Sequence, residues 1–180
     1  MQPLLEPFPL FTHRECDEII RRAQDQLTAA RTTSGYDTSV RSNSVAWLEF
    51  EDQGRFYDLM TDRTDVPARW LQHPYQVSRY DTGEFYDWHE DLIPSDVRSS
   101  IRSLTLTCTL EPAPGAGIEF KTHQPNLEKG WAVMFDAQEL HRATAPTQGT
   151  RWALTIWAMR DNPKKREAPA PKSCEAANAS

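Results

Sequence analysis

Alternating polar and apolar residues characterise most of the chain beyond residue 74. Between residues 103 and 110 every second residue is apolar, which is typical of a strand with one buried face. Turn residues such as those at 81–83 (Asp-Thr-Gly) separate such segments from one another. Six segments predict strands, at 75–80, 85–91, 101–110, 118–120, 131–135 and 151–159. Short strands at this spacing predict a mainly β protein, either a sandwich or a barrel.

Helical spacing appears instead near the N-terminus. Thr12 and Glu15 have the spacing of a capping box, in which each side chain accepts a hydrogen bond from the other residue's backbone N–H. The apolar residues that follow recur every three or four positions, at Cys16, Ile19, Ile20, Ala23 and Leu27. We therefore expect an amphipathic helix that flanks the strands. A weaker helical pattern contains Phe56, Leu59 and Met60.

The residues after 160 lack periodicity and are rich in Lys, Pro, Ala and Ser. Such a composition is typical of a disordered segment. A chain of 180 residues is long enough for one domain with a sizeable core. We therefore predict a single domain over residues 1–160 and a disordered tail over residues 161–180.

Charge and cysteine content exclude several classes of protein. The formal net charge of −6 argues against a broad nucleic-acid-binding surface, and it makes a basic peptide a candidate partner. No apolar run is long enough to cross a bilayer, and the N-terminus lacks the pattern of a secretory signal. Cys16, Cys108 and Cys174 are odd in number and widely separated, which favours reduced thiols. The sequence predicts a cytoplasmic protein without a membrane partner.

A His-x-Asp pair, His89 and Asp91, lies in the predicted strand 85–91. Because side chains alternate along a strand, both residues should point to the same face. His141 follows the apolar strand 131–135 and supplies a second imidazole. Two imidazoles and one carboxylate are the ligand set with which non-haem oxygenases hold Fe(II) on one face and leave the other face open. These residues therefore indicate an iron-dependent oxygenase.

The identity of the third ligand narrows the chemistry further. A halide can occupy the iron where a small residue replaces the carboxylate, so Asp91 favours hydroxylation over halogenation. A structural zinc site would need four closed ligands, and the sequence offers no fourth Cys or His in a comparable position. The alternative for His89 is an ordinary buried histidine with a packing role.

Arg151 opens the last predicted strand, ten positions after His141. By the period of two it shares a face with Ala153, Thr155 and Trp157. An arginine on the inner face of a barrel is costly unless an anion pairs with it. A dicarboxylate ligand would supply that partner through a two-pronged, charge-assisted bond. The alternative is an arginine that extends from the strand end into solvent.

Together these motifs resemble the iron(II)/2-oxoglutarate-dependent dioxygenases of the prolyl 4-hydroxylase-like branch. The similar stretch runs from residue 76 to residue 158, and residues 41–48 are similar less specifically. The resemblance implies a double-stranded β-helix (jelly-roll) barrel with flanking helices. It also implies that the catalytic centre is Fe(II) held by three ligands, His89, Asp91 and His141.

The cosubstrate site is likewise implied by the resemblance. Arg151 would bind the far carboxylate of 2-oxoglutarate and Tyr80 would hydrogen-bond it. Trp157 would line the pocket, and Thr105 is the nearest match to a threonine that lies close to the cosubstrate. The family's usual Gly pair reads Ala116-Gly117 here, and its Pro-Val before the basic residue is displaced. Both departures bear on loop shape and therefore on substrate preference.

The implied reaction is hydroxylation of a C–H bond, of a prolyl or another amino-acid side chain, with release of succinate and CO2. Its cofactors would be Fe(II) and 2-oxoglutarate, with ascorbate as reductant. The substrate partner would be a peptide or an amino acid, and residues 93–100 form a candidate lid.

Three alternatives stay open at this stage. The first is a catalytically inactive jelly-roll binding module. The second is a cupin-like isomerase or sugar-binding barrel, although cupins draw more histidines from a Gly-rich strand pair. The third is nucleic-acid demethylation by the same chemistry, for which no basic, aromatic-interleaved face is evident.

Overall fold

The computed structural model describes residues 6–32, 35–49, 58, 62, 74–92 and 100–161. One helix, α1, spans His13–Gln24 within these residues. Their strands are β1 (Phe8–Pro9), β2 (Thr28–Ala29), β3 (Ser44–Leu48), β4 (Tyr75–Tyr80), β5 (Tyr86–His89), β6 (Ser100–Glu111), β7 (Gly117–Phe120), β8 (Trp131–Asp136), β9 (His141–Thr144) and β10 (Arg151–Asp161).

The strands form two antiparallel sheets. The larger sheet has the order β1-β8-β6-β10-β4-β3-β2, and the smaller one has the order β5-β9-β7. Strands that are neighbours in the sheet are mostly distant in sequence, as in β6 between β8 and β10. This arrangement of two sheets around a shared interior is that of a jelly roll. The prediction of a mainly β, jelly-roll protein with a flanking helix is confirmed.

The helix covers the outer face of the larger sheet. Thr12 and Glu15 form both bonds of the predicted capping box. The helix ends at Gln24, earlier than the apolar spacing suggested, but Leu27 still packs against the core. Cys16, Ile19 and Ala23 are buried against the sheet in the main hydrophobic cluster. Burial of this apolar stripe is what anchors the helix.

The three central strands of the larger sheet have one apolar and one polar face. In β10, Trp152, Leu154 and Ile156 belong to the core beneath the helix. The alternate residues line a cavity on the opposite face, towards the smaller sheet: Arg151, Ala153, Thr155 and Trp157. The same alternation holds in β4 and β6, whose cavity-lining residues are Gln76, Ser78, Tyr80, Thr105 and Thr107. A period of two thus separates the core from the cavity.

One predicted strand is shorter than the sequence suggested. The segment 85–91 was expected to be a continuous strand, but β5 ends at His89. Its partner β9 begins at His141, opposite His89, so the pairing between the two strands does not continue beyond His89. The Asp91 N–H instead donates to the Ala137 carbonyl, at 2.8 Å. Asp91 therefore lies beyond the strand, and the expectation that it shares a strand with His89 was wrong.

Some predictions concern residues outside the described ranges. These are most of the weak helical pattern around Phe56, the candidate lid up to residue 99 and the tail from residue 162. The described chain reaches the end of β10 at Asp161. The domain boundaries therefore stay predictions. Among the described residues, no helix has the length and apolarity needed to cross a bilayer.

Candidate metal and cosubstrate site

His89, Asp91 and His141 meet between the two sheets. One ligand atom from each residue lies within 4.8 Å of the others. The His89 Nε2 is 3.8 Å from Asp91 Oδ1, and the His141 Nε2 is 3.6 Å from Asp91 Oδ2. All three side chains are largely buried. The structure thus brings together the three residues that the sequence predicted as metal ligands.

The hydrogen bonds of the two imidazoles determine which nitrogen is free. The Nδ1 of His89 lies 2.7 Å from the Asp87 carbonyl oxygen, and the Nδ1 of His141 lies 2.7 Å from the Glu139 carbonyl oxygen. A carbonyl oxygen only accepts hydrogen bonds, so each Nδ1 carries the proton. In a neutral imidazole the lone pair then lies on Nε2, the nitrogen that faces Asp91 in both residues. Second bonds of this kind orient metal-ligating histidines.

The ionisation states suit a cation. Burial, followed by repulsion from His141, lowers the pKa of His89 to about 4, so its imidazole is neutral at pH 7. Burial alone would raise the pKa of Asp91, but the neighbouring imidazoles and a hydrogen bond from Thr105 bring it below its usual value. The neutral imidazole of His89, the imidazole of His141 and the carboxylate of Asp91 therefore converge on one position. This donor set fits Fe(II).

Thr105 and Trp157 support the carboxylate from the larger sheet. The Thr105 hydroxyl donates to Asp91 Oδ2 at 2.7 Å, and both residues are buried. The nearby Trp157 indole N–H also lowers the pKa of Asp91. Thr105 thus contacts the candidate metal ligand itself, which the sequence did not indicate.

Arg151 lies in the same cavity and has a buried, unsatisfied nitrogen. The residue is 3% exposed, and its Nε has no hydrogen-bond partner in the described structure. Its guanidinium is 5.5 Å from the centre of the Tyr80 ring, and no described carboxylate pairs with it. Burial lowers the pKa of this guanidinium. A buried cation without a counter-ion is costly, so the site fits a carboxylate ligand such as that of 2-oxoglutarate.

Cross-strand pairing explains how these distant residues meet. His89 is directly opposite His141 in the smaller sheet. In the larger sheet Tyr80 is opposite Arg151, and Thr105 is opposite Trp157. Residues in such positions have neighbouring side chains on one face of the sheet. Six of the seven predicted site residues therefore form three cross-strand pairs around a cavity of about 390 Å³.

Other residues line or adjoin the cavity. Tyr86 stacks on His89, with ring centres 3.4 Å apart. Arg41 lies over the Tyr86 ring at 4.4 Å, in a segment that has no periodicity to reveal it. Trp47 lines the cavity and is 41% exposed. Trp88 does not line this cavity, and the Lys121 ammonium lies 3.4 Å from the centre of its ring.

Comparison with known proteins agrees with this geometry. Residues 75–159 match the model of the 2OG-Fe(II) oxygenase superfamily. A PKHD-type hydroxylase of Paracoccus denitrificans is 29% identical over 105 residues, which cover 52% of this chain and 45% of that protein. A PKHD-type hydroxylase of Gluconobacter oxydans is 26% identical over 178 residues, which cover 83% of this chain and 78% of that protein. The chain thus spans less than half of the Paracoccus relative in that alignment.

Solved structures show the same fold. The viral collagen prolyl hydroxylase of Paramecium Bursaria Chlorella virus-1 superposes with a TM-score of 0.68 at 20% identity, covering 87% of this chain and 95% of that one. A Pseudomonas putida prolyl-4-hydroxylase gives a TM-score of 0.63 at 16% identity, covering 86% and 92%. The chain thus shares the jelly-roll fold of these proteins, and its residues 75–159 are similar to the 2OG-Fe(II) oxygenase superfamily.

Proposed function

We propose that this protein hydroxylates a C–H bond of a prolyl or another amino-acid side chain, on a peptide or a free amino acid. When bound, Fe(II) and 2-oxoglutarate together activate dioxygen, one oxygen atom entering the C–H bond and the other entering succinate as CO2 is released. The hydroxylase names of the relatives and the prolyl hydroxylases among the similar structures support this substrate class. Ascorbate is proposed as the reductant that keeps the iron ferrous.

One observation carries the proposal. A convergent set of two imidazoles and one carboxylate shares a single cavity with the buried guanidinium of Arg151, whose Nε has no hydrogen-bond partner among the described residues. The imidazoles and the carboxylate suit a metal cation, and the guanidinium suits the carboxylate of a cosubstrate. A binding barrel without redox chemistry would not need both a metal-ligand set and a buried guanidinium.

The residues would act as follows. His89, Asp91 and His141 hold the iron, and the Thr105 hydroxyl fixes the carboxylate of Asp91 by its 2.7 Å hydrogen bond. Arg151, with Tyr80 opposite it in the sheet, would bind the far carboxylate of 2-oxoglutarate. The protein's own contribution is orientation, because the cofactors carry the chemistry.

Trp157 would close one side of the cosubstrate pocket. It is buried and lies opposite Thr105 in the sheet. Its indole N–H acts on the Asp91 carboxylate, whose pKa it lowers. The cytoplasmic location predicted from the scattered cysteines stays a prediction.

Anaerobic reconstitution tests the proposal. Fe(II) and 2-oxoglutarate are added to the wild type, and a visible metal-to-ligand charge-transfer band is expected, followed by succinate formation when oxygen and a peptide panel are supplied. His141→Gln should abolish the band. His123→Gln is the matched control, because His123 is exposed and lies outside the cavity.

Two outcomes would contradict the proposal in different ways. A wild type without the band would exclude the cofactor site itself. A band without succinate from any peptide or amino acid would instead support a catalytically inactive binding module of the same fold.

A further inference from the structure

The cavity wall carries more positive than negative charge, opposite in sign to the whole chain. Its charged lining consists of Arg31, Arg41, Arg102, Arg142, Arg151, Glu90 and Asp91. The formal net charge of the chain is −6. The nearest charges dominate the field inside a cavity, so this lining favours an anionic ligand.

Several of these arginines already have partners. Arg142 forms an ion pair with Glu119 at 2.8 Å. Arg102 lies over the Trp157 ring at 3.6 Å and donates to the backbone carbonyl of Asp91. Arg151 is the proposed anchor of 2-oxoglutarate. Of the negative groups, Asp91 faces the candidate metal position.

Two further charged residues of the lining, Arg31 and Glu90, lie at the rim of the cavity. Arg31 is exposed and stacks over Tyr36 at 4.3 Å. Glu90 is exposed as well, and it is the one acidic group of the lining that could oppose an anion. Solvent screens exposed charges more strongly than buried ones, so neither dominates the interior.

Arg41 is the buried arginine whose partners are incomplete. The residue is 9% exposed. Its Nε donates to Asn43 Oδ1 at 2.8 Å and its Nη1 donates to the Arg31 carbonyl at 3.4 Å. Its Nη2 is buried without a hydrogen-bond partner, and no carboxylate among the described residues pairs with it. A buried guanidinium in this state is costly until an anion completes it.

The position of Arg41 is fixed by backbone contacts to β5. Arg41 and Tyr86 form an isolated antiparallel bridge. The Asp87 N–H donates to the Val40 carbonyl at 2.8 Å, and the Ser42 N–H donates to the Phe85 carbonyl at 3.0 Å. A charged group held by a rigid backbone is pre-organised for binding.

The guanidinium also lies close to the reacting centre. It is 4.4 Å from the centre of the Tyr86 ring, and that ring stacks on His89 at 3.4 Å. Two ring contacts therefore separate Arg41 from a candidate iron ligand. An anion bound there would be part of the molecule whose C–H bond faces the iron. Arg151 is on a different wall, beside Tyr80.

We propose that Arg41 binds a carboxylate of the substrate, so that the protein acts on an anionic substrate rather than a basic one. This inference rests on the proposed hydroxylase function and adds the substrate class to it. The carboxylate has two possible sources, the α-carboxylate of a free amino acid and the acidic side chain of a peptide. Both offer the same chemistry to the Arg41 Nη2.

Matched acid and amide probes test the proposal. L-Proline is compared with L-prolinamide, and the capped peptide Gly-Pro-Glu with capped Gly-Pro-Gln, by calorimetry on anaerobic protein loaded with Fe(II) and 2-oxoglutarate. In at least one pair the acid should bind about 10- to 100-fold more tightly than the amide, as expected for a charge-assisted bond. The pair that shows the preference identifies the source of the carboxylate.

Variants assign that preference to one arginine. Arg41→Gln should reduce it to near parity, and Arg41→Lys should retain part of it because the charge remains. Arg142→Gln is the matched control, since Arg142 lines the same cavity but is paired with Glu119, and the preference should persist. The charge-transfer band of bound 2-oxoglutarate shows that each variant is folded.

The outcomes separate this inference from the proposed function. If 2-oxoglutarate binds but neither acid probe is preferred, or if the preference survives Arg41→Gln, the inference is wrong and the function stands. If Arg41→Gln weakens the binding of 2-oxoglutarate as much as it weakens the binding of the acid probe, Arg41 belongs to the cosubstrate site and the inference is also wrong. If the wild type fails to bind 2-oxoglutarate, the proposed function itself fails.

Discussion

The hydrogen bond from Thr105 to Asp91 should control metal affinity. Thr105→Val keeps the shape of the side chain and removes the donor. The bond is 2.7 Å long, its acceptor is an ionised carboxylate, and both residues are buried. A hydrogen bond to a charged group contributes about 1.5–3 kcal/mol. At about 1.4 kcal/mol for each factor of ten, its loss corresponds to a roughly 10- to 100-fold weaker metal site.

Calorimetric titration with Mn(II), a redox-stable substitute for Fe(II), measures this effect without cosubstrate. Thr107→Val is the matched control, because Thr107 lies two residues further along the same face of β6 and makes no hydrogen bond to Asp91 in the described structure. The control should bind Mn(II) like the wild type. The reasoning is refuted if Thr105→Val keeps wild-type affinity, or if both variants lose affinity equally.

Three further predictions concern stability and ligand binding. Gly130 has φ +82°, and a Cβ there would overlap the Phe11 carbonyl, so Gly130→Ala should lower the free energy of unfolding by at least about 2 kcal/mol. Gly149 has φ +76° and open space around it, so Gly149→Ala should lower that free energy by only roughly 1 kcal/mol. Equal losses for the two variants in urea denaturation would contradict this prediction. Burial lowers the pKa of His89 from 6.5 to about 4, so between these pH values the unfolded chain takes up a proton that the folded chain does not. The free energy of unfolding should therefore fall by up to about 3 kcal/mol as the pH decreases from 6.5 to about 4. His89→Gln should lose this pH dependence in urea titrations of the metal-free protein, and an unchanged slope would exclude His89 as its source. Arg151→Gln should weaken the binding of 2-oxoglutarate by about 2–5 kcal/mol in an anaerobic titration, while the affinity for Mn(II) stays as in the wild type. An unchanged affinity for 2-oxoglutarate would show that Arg151 does not bind it.

Net charge and cavity lining point to different ligands. The value of −6 suggested a basic peptide, whereas the cavity is lined by five arginines and two acidic residues. Net charge is a sum over the whole chain, in which distant exposed carboxylates count as much as buried groups. The field at the site depends on the nearest charges, and their positions follow from the fold.

The sequence by itself indicated six of the ten strands of the described residues and the chemistry of the candidate site. The period of two in β10 assigns Arg151 and Trp157 to one face and Leu154 to the other, because alternation is a local property of an extended chain. The types and spacing of His89, Asp91 and His141 indicated a non-haem metal, since ligand preference depends on the atoms that the side chains carry.

Only the tertiary structure decided how these residues meet. The register that places His89 opposite His141 depends on pairing between segments far apart in the chain, which no local pattern encodes. Asp91 reaches the site from beyond its strand because its backbone bonds to Ala137. Arg41 is buried and left unsatisfied only because its segment packs against β5. Local periodicity specifies which face a side chain occupies, whereas long-range pairing specifies what that side chain faces.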